Sequence, residues 1–158
     1  MASEIYKRMI MKMRTFITLA IMLSTFAAVN AQSYLRAGSS AYSEVLYNWD
    51  GENLRQGSSR YSKVIANWDG QNIRRGSSSY SEVLYNWDGK NLRQGSSRYG
   101  KILHNWDGKN IRRGSSAYGN VIYNWDGKNV RRGASSYGDV IYNTDGRFPV
   151  AVLIYLIE

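Results

Sequence analysis

A period of nineteen residues runs through this chain and constrains its fold more than any other feature. Copies begin at Leu35, Leu54, Ile73, Leu92, Ile111 and Val130, and together the six cover residues 35–148. Residues 73–91 read Ile-Arg-Arg-Gly-Ser-Ser-Ser-Tyr-Ser-Glu-Val-Leu-Tyr-Asn-Trp-Asp-Gly-Lys-Asn. Two strand-like stretches, residues 81–86 and 91–94, flank an Asp-Gly turn, and Gly-Ser-Ser makes the other connection. Nothing in a unit divided this way leaves space for a helix. Thirteen Tyr, five Trp and fifteen Gly against one Pro fit the same picture of short strands and turns. The predicted class is all-β.

The aliphatic positions suggest a register. A two-residue Asp88-Gly89 loop would set Tyr85 opposite Leu92, whereas a three-residue Trp87-Asp88-Gly89 loop sets Leu84 opposite Leu92. Leu46, Ile65, Leu84, Leu103, Ile122 and Ile141 are aliphatic in every copy, as are Leu54, Ile73, Leu92, Ile111 and Val130. The three-residue loop is therefore favoured, with these two positions on the core face. Glu44, Lys63, Glu82 and Lys101 alternate in sign from copy to copy. Either neighbouring copies meet there, or a 38-residue duplication leaves the charges facing water.

Two architectures accept such a repeat. A β-solenoid would stack Arg36, Arg55, Arg74, Arg93, Arg112 and Arg131 about 4.8 Å apart as a ladder of like charge. A ring of hairpins spreads them around a circumference. Closure is the favoured expectation, and the solenoid is the alternative. Residues 150–157, Val-Ala-Val-Leu-Ile-Tyr-Leu-Ile, are apolar without interruption and too short to span a bilayer as a helix. They are expected to form a closing strand, within residues 149–158, buried on both faces.

Residues 12–31 have a different character. Lys7, Arg8, Lys12 and Arg14 precede an apolar run over residues 15–29, and Val29-Asn30-Ala31 offers a cleavage site before Gln32. A signal peptide over residues 1–31 is expected, the first ten residues reading as an extension ahead of a more usual start at Met11 or Met13. The competing membrane anchor has too short an apolar run. Residues 32–158 then form one domain, with no transmembrane segment in the mature chain. Loss of the leader's four basic residues and Glu4 leaves 17 basic against 11 acidic residues. Export to the periplasm, cell surface or exterior is expected.

The run Val130-Arg131-Arg132-Gly133-Ala134-Ser135-Ser136-Tyr137-Gly138-Asp139-Val140-Ile141-Tyr142, the Asp-Gly turns and the apolar tail after Phe148-Pro149 resemble the five-fold β-flower proteins, small exported bacterial proteins built of tandem hairpins. The resemblance spans most of residues 12–158. It implies radially arranged hairpins and carries no assigned activity, cofactor or functional residue.

Chemistry has few candidates. The chain has no Cys, which excludes disulfides, thiol catalysis and Cys-based metal sites. Its one histidine, His104, takes the place of Tyr47, Ala66, Tyr85, Tyr123 and Tyr142 in other copies and reads as a variant strand residue. Asp50, Asp69, Asp88, Asp107, Asp126 and Asp145 sit in equivalent turns, whereas catalytic carboxylate pairs need environments that differ. No enzyme, metal site or cofactor is expected.

Binding remains. Asn48-Trp49, Asn67-Trp68, Asn86-Trp87, Asn105-Trp106 and Asn124-Trp125 set an amide beside an aromatic ring at a turn. A lectin could stack a sugar on Trp while Asn holds its hydroxyls, with avidity from repetition. Equally, each Trp could pack over its neighbouring hairpin. Arg74-Arg75, Arg112-Arg113 and Arg131-Arg132 suggest an anionic polymer as another partner, with nucleic acid disfavoured by export. The expectation is an exported, non-enzymatic structural or interaction protein, with a lectin-like carbohydrate binder as the alternative.

Overall fold

The structure, a computed structural model, describes residues 32–158; the predicted signal peptide lies outside the described residues. Val, Ile, Leu and aromatic residues alternate with polar ones in short runs, and each run becomes a strand. They are Ser33–Ala37 (β1), Val45–Trp49 (β2), Asn53–Gln56 (β3), Val64–Trp68 (β4), Asn72–Arg75 (β5) and Val83–Trp87 (β6). Asn91–Gln94 (β7), Ile102–Trp106 (β8), Asn110–Arg113 (β9), Val121–Trp125 (β10), Asn129–Arg132 (β11) and Val140–Asp145 (β12) complete the set. Each strand pairs antiparallel with its chain neighbours, and β1 pairs with β12 to close a twelve-stranded barrel. The ring is the architecture, and among the described residues no strand edge is left open.

The register differs from both sequence-based alternatives. Trp87 lies opposite Leu92, and Tyr85 opposite Gln94, with residues 88–91 closing the hairpin beyond the last pair. Two features account for this. Asp88 Oδ1 accepts the backbone N–H groups of Lys90 (2.9 Å) and Asn91 (2.6 Å), so the carboxylate builds a longer turn, and Gly89 takes its left-handed backbone at φ 95°. On the other side of the hairpin, Leu92 pairs with His104 and Arg93 with Ile102, which skips Leu103. The same shift recurs in all six copies, at Leu46, Ile65, Leu84, Leu103, Ile122 and Ile141. These aliphatics are therefore bulge residues, half-buried, and not the partners of Leu92 and its equivalents. Bulges bend and twist strands, and six of them at equal intervals curve the sheet onto itself.

The lumen is lined by one fully buried aliphatic per copy: Leu35, Leu54, Ile73, Leu92, Ile111 and Val130. A barrel of twelve strands is too wide for wall side chains alone to fill. The apolar tail fills it. Val150–Ile157 is an α-helix, α1, not the closing strand that its composition suggests. Ala151, Val152, Leu153 and Ile154 are buried in one cluster with the six lining aliphatics, and Tyr155 meets Tyr85 with ring centroids 5.6 Å apart. The correction has a simple cause. Because β1 takes the edge of β12, a strand in the lumen would have no partner for its N–H and C=O groups, whereas a helix satisfies its own. An apolar helix surface all round is what complete burial demands.

Chain reversal into the lumen needs close packing where the ring closes. Gly146, at φ 67°, follows β12, and a Cβ there would lie 2.5 Å from Ser33 Oγ of β1. Among the described residues, no helix is long and apolar enough to cross a membrane.

Candidate functional site

Up-and-down topology gathers like turns at like ends. All Asp-Gly turns fall at one end of the barrel, and all Gly-Ser-Ser turns at the other.

At the Asp-Gly end, the tryptophans form a broken inner rim. Trp49 and Trp87 are buried, while Trp68, Trp106 and Trp125 are half-buried. Trp49 and Trp68 lie 6.2 Å apart at 53°, and Trp106 and Trp125 lie 6.0 Å apart at 45°. Thr144 takes the sixth place, its Oγ1 accepting the Trp125 indole N–H at 3.3 Å. Trp106, Trp125, Gly108, Lys109, Asp126 and Gly127 line an open cleft of about 430 Å³.

The asparagines face elsewhere. Asn86 Nδ2 donates to Gly95 O (2.9 Å) and Ser97 O (2.8 Å), and Asn48, Asn67, Asn105 and Asn124 repeat the pair of bonds one copy apart. Asn143 makes them across the closure, to Gly38 and Ser40. All are buried, with their Nδ2 donors engaged by backbone carbonyls. The structure thus pairs Trp49 with Trp68 and Trp106 with Trp125, leaves Trp87 outside both pairs, and ties each neighbouring Asn to the turns of the opposite end.

The turn aspartates are neutralised. Arg55, Arg74 and Arg112 each reach the Asp of their own hairpin at 2.5 Å, Arg131 reaches Asp126 at 2.7 Å, and Arg93 contacts Asp88. Arg36 and Asp145 join the first copy to the last at 3.2 Å. Burial pushes the Asp126 carboxyl up, but the backbone N–H groups of Asn129 and Lys128 and the Arg131 guanidinium outweigh it, holding the pKa at about 2. Asp50, Asp69, Asp88 and Asp107 are likewise lowered, burial again being outweighed by turn N–H groups and arginine. Carboxylates lowered in the fold stabilise it fully above their unfolded value of about 4 and lose that contribution as pH falls through the folded values. The urea midpoint is therefore expected to hold steady above pH 5 and drop steeply between about pH 4 and 2. An unchanged midpoint across that acid range would refute this account of the turns.

The opposite end has two layers. Inside the mouth, His104, Arg113, Tyr123 and Arg132 surround a cavity of about 400 Å³ against Ile157 and Glu158 at the end of α1. Burial lowers the His104 pKa, opposed by Glu158 and reinforced by Arg113. Outside it, Tyr42, Tyr61, Tyr80, Tyr99, Tyr118 and Tyr137 are 85% to 100% exposed, one at each turn. The serine two residues before each tyrosine accepts its backbone N–H at 3.1–3.2 Å. The same serine's carbonyl takes the Asn Nδ2 bond, so the buried amides anchor the turns that present the ring of tyrosines. Sequence reasoning passed over this crown. Its signal is an aromatic residue held in all six copies inside a polar turn, where strand periodicity gives it no core to enter.

Glu44, Lys63, Glu82 and Lys101 are exposed at this end. Among the described residues no ion pair links neighbouring copies through them, and Glu82 instead lies 3.6 Å from Arg75 of its own copy. The alternating charges face water.

Comparison with known proteins agrees with the geometry. The six-fold β-flower protein family matches residues 35–153, and its symmetry corrects the five-fold expectation: six copies give six hairpins. No curated protein and no solved structure matches the chain. The family match takes in all of the barrel but the first two residues of β1, and the first half of the helix that fills it, and on that ground the chain belongs to the six-fold β-flower family.

Proposed function

We propose that the chain is an exported, non-enzymatic structural or interaction protein whose barrel serves as a rigid mount. The observation that carries this reading is the crown: six large aromatic side chains held out in water at one end of a barrel whose lumen is filled. Exposed apolar groups gathered at one surface mark contact sites, whereas single scattered ones need no explanation. The filled lumen, the paired turn carboxylates and the engaged amides leave few groups with the differing environments that acid–base catalysis uses. Export rests on the basic-apolar-small pattern of residues 1–31. The exported form is expected to begin at Gln32, to be read by intact-mass analysis. Retention of residues 12–31 on that form would overturn the signal-peptide reading.

A lectin-like role is the second reading, and the cleft between Trp106 and Trp125 is what favours it. Two half-buried indoles beside Lys109 and Asp126 offer a stacking face with polar groups at its edge. Asn105 and Asn124 contribute no free amide N–H there.

A further inference from the structure

The charges around the crown are arranged to fit a copy of themselves. In order round the barrel, the six tips carry Glu44; Arg60 and Lys63; Glu82; Arg98 and Lys101; the uncharged Asn120; and Asp139, all exposed. Arg60 and Arg98 lie over Tyr61 and Tyr99, 5.3 and 5.5 Å from the ring centroids, which ties the basic groups to the aromatic surface. Arg113 and Arg132 belong to the lumen side of the mouth and not to the tips, and Arg75, at the equivalent strand position, lies 3.6 Å from Glu82 in an exposed pair that offsets only part of that tip's charge.

From this we infer that two copies of the chain pair face to face through their tyrosine crowns, an inference that rests on the reading of the protein as an interaction module. A two-fold axis across the barrel ends reverses the order of tips in the second ring, so six registers exist. Five of them set at least one pair of like-charged tips against each other. One does not. It sets Glu44 against Arg98 and Lys101, Glu82 against Arg60 and Lys63, and Asp139 against Asn120. Like charges brought together disfavour the other five, so the charges select register while the rings supply contact area. Tyrosine suits that part, being large, stiff and tolerant of water at its hydroxyl. Six half-covered rings would remove roughly 600 Å² per partner, or about 1,200 Å² in all, within the range of specific interfaces. The pairing is isologous and closes at two copies, whereas crown-to-turn stacking would grow a filament.

Sedimentation velocity on the purified chain tests this. The expected result is a dimer that dissociates on dilution. Replacing Tyr61, Tyr99 and Tyr137 together by Ser should weaken association at least about a hundredfold, as lost aromatic anchors do, and leave the melting curve in place. Two charge variants test register. Glu44→Lys with Glu82→Lys makes basic the two acidic tips that face basic ones in the favoured pairing. Arg60→Ala and Arg98→Ala with Lys63→Glu and Lys101→Glu makes its basic tips acidic, using the alanine already present at 41 and 117. Each variant alone is expected to be monomeric, and a one-to-one mixture to dimerise. A monomeric parent, a filament, or a dimer indifferent to the tyrosine and charge variants would overturn the pairing. A monomeric parent that is still exported would leave the functional reading standing, whereas a dimer that keeps residues 12–31 on its exported form would remove the signal-peptide reading and spare the pairing.

Discussion

Deleting residues 150–158 is expected to abolish the cooperative melt and leave the protein aggregating. The helix α1 supplies Val152, Leu153 and Ile154, each at 0–1% exposure, to a core whose other half is the ring of aliphatics from Leu35 to Val130. Burial of each such side chain contributes about 1.5–3 kcal/mol, and its loss from a core that cannot collapse costs about 2–5 kcal/mol. Three of them together rival the whole stability of a domain, roughly 5–15 kcal/mol. Collapse is the other difficulty: the barrel wall is closed by hydrogen bonds all round, so it cannot shrink to fill an emptied lumen. Differential scanning calorimetry would show the loss directly. A truncated chain that stays monomeric with the parent's transition would make the helix peripheral. Leu153→Asp offers the milder version, because a carboxyl within that apolar cluster must stay ionised at high cost, take up a proton, or disrupt the helix's seat.

The same helix shows where sequence reading reaches its limit. Val-Ala-Val-Leu-Ile-Tyr-Leu-Ile is a good strand by propensity, and its burial on all sides was legible from composition. Its conformation was not, since a doubly buried strand and a fully buried helix share one pattern, and the choice turned on whether a sheet edge remained free. The register had a comparable ambiguity. Leu84 and Leu92 look like a pair because both are aliphatic in every copy, yet Leu84 is held at that position by a bulge, and a bulge leaves no mark in period-two patterning. The six copies, the Asp-Gly turns and closure were legible because each depends on local chemistry or on charge spacing. The asparagines were visible as a repeated feature, but their partners are carbonyls nine and eleven residues later, across a turn whose path the sequence does not trace.

The tryptophans separate into two groups, and their substitution is expected to separate likewise. Trp87 is 8% exposed and lies opposite Leu92 on the lumen side, so Trp87→Ala should lower stability by about 3–5 kcal/mol, the usual effect of emptying a large aromatic site. Trp106 is half-buried and has Trp125 as its aromatic neighbour, so Trp106→Ala should lose about 1–2 kcal/mol, the stacking contribution with part of the buried area. Urea unfolding of the two variants reads the difference, and equal midpoints would place Trp87 and Trp106 in one environment, against the geometry. The comparison also decides the lectin reading. Trp106 and Trp125 line the open cleft, so a neutral oligosaccharide bound there should quench indole fluorescence, and its affinity should change little with salt because no ionic contact is needed. Trp106→Ala should then lose the sugar while keeping the fold, and Trp87→Ala should lose fold before binding. Binding that survives Trp106→Ala, or that weakens steeply with added salt, would point away from stacking in the cleft and toward the exposed arginines of the opposite mouth.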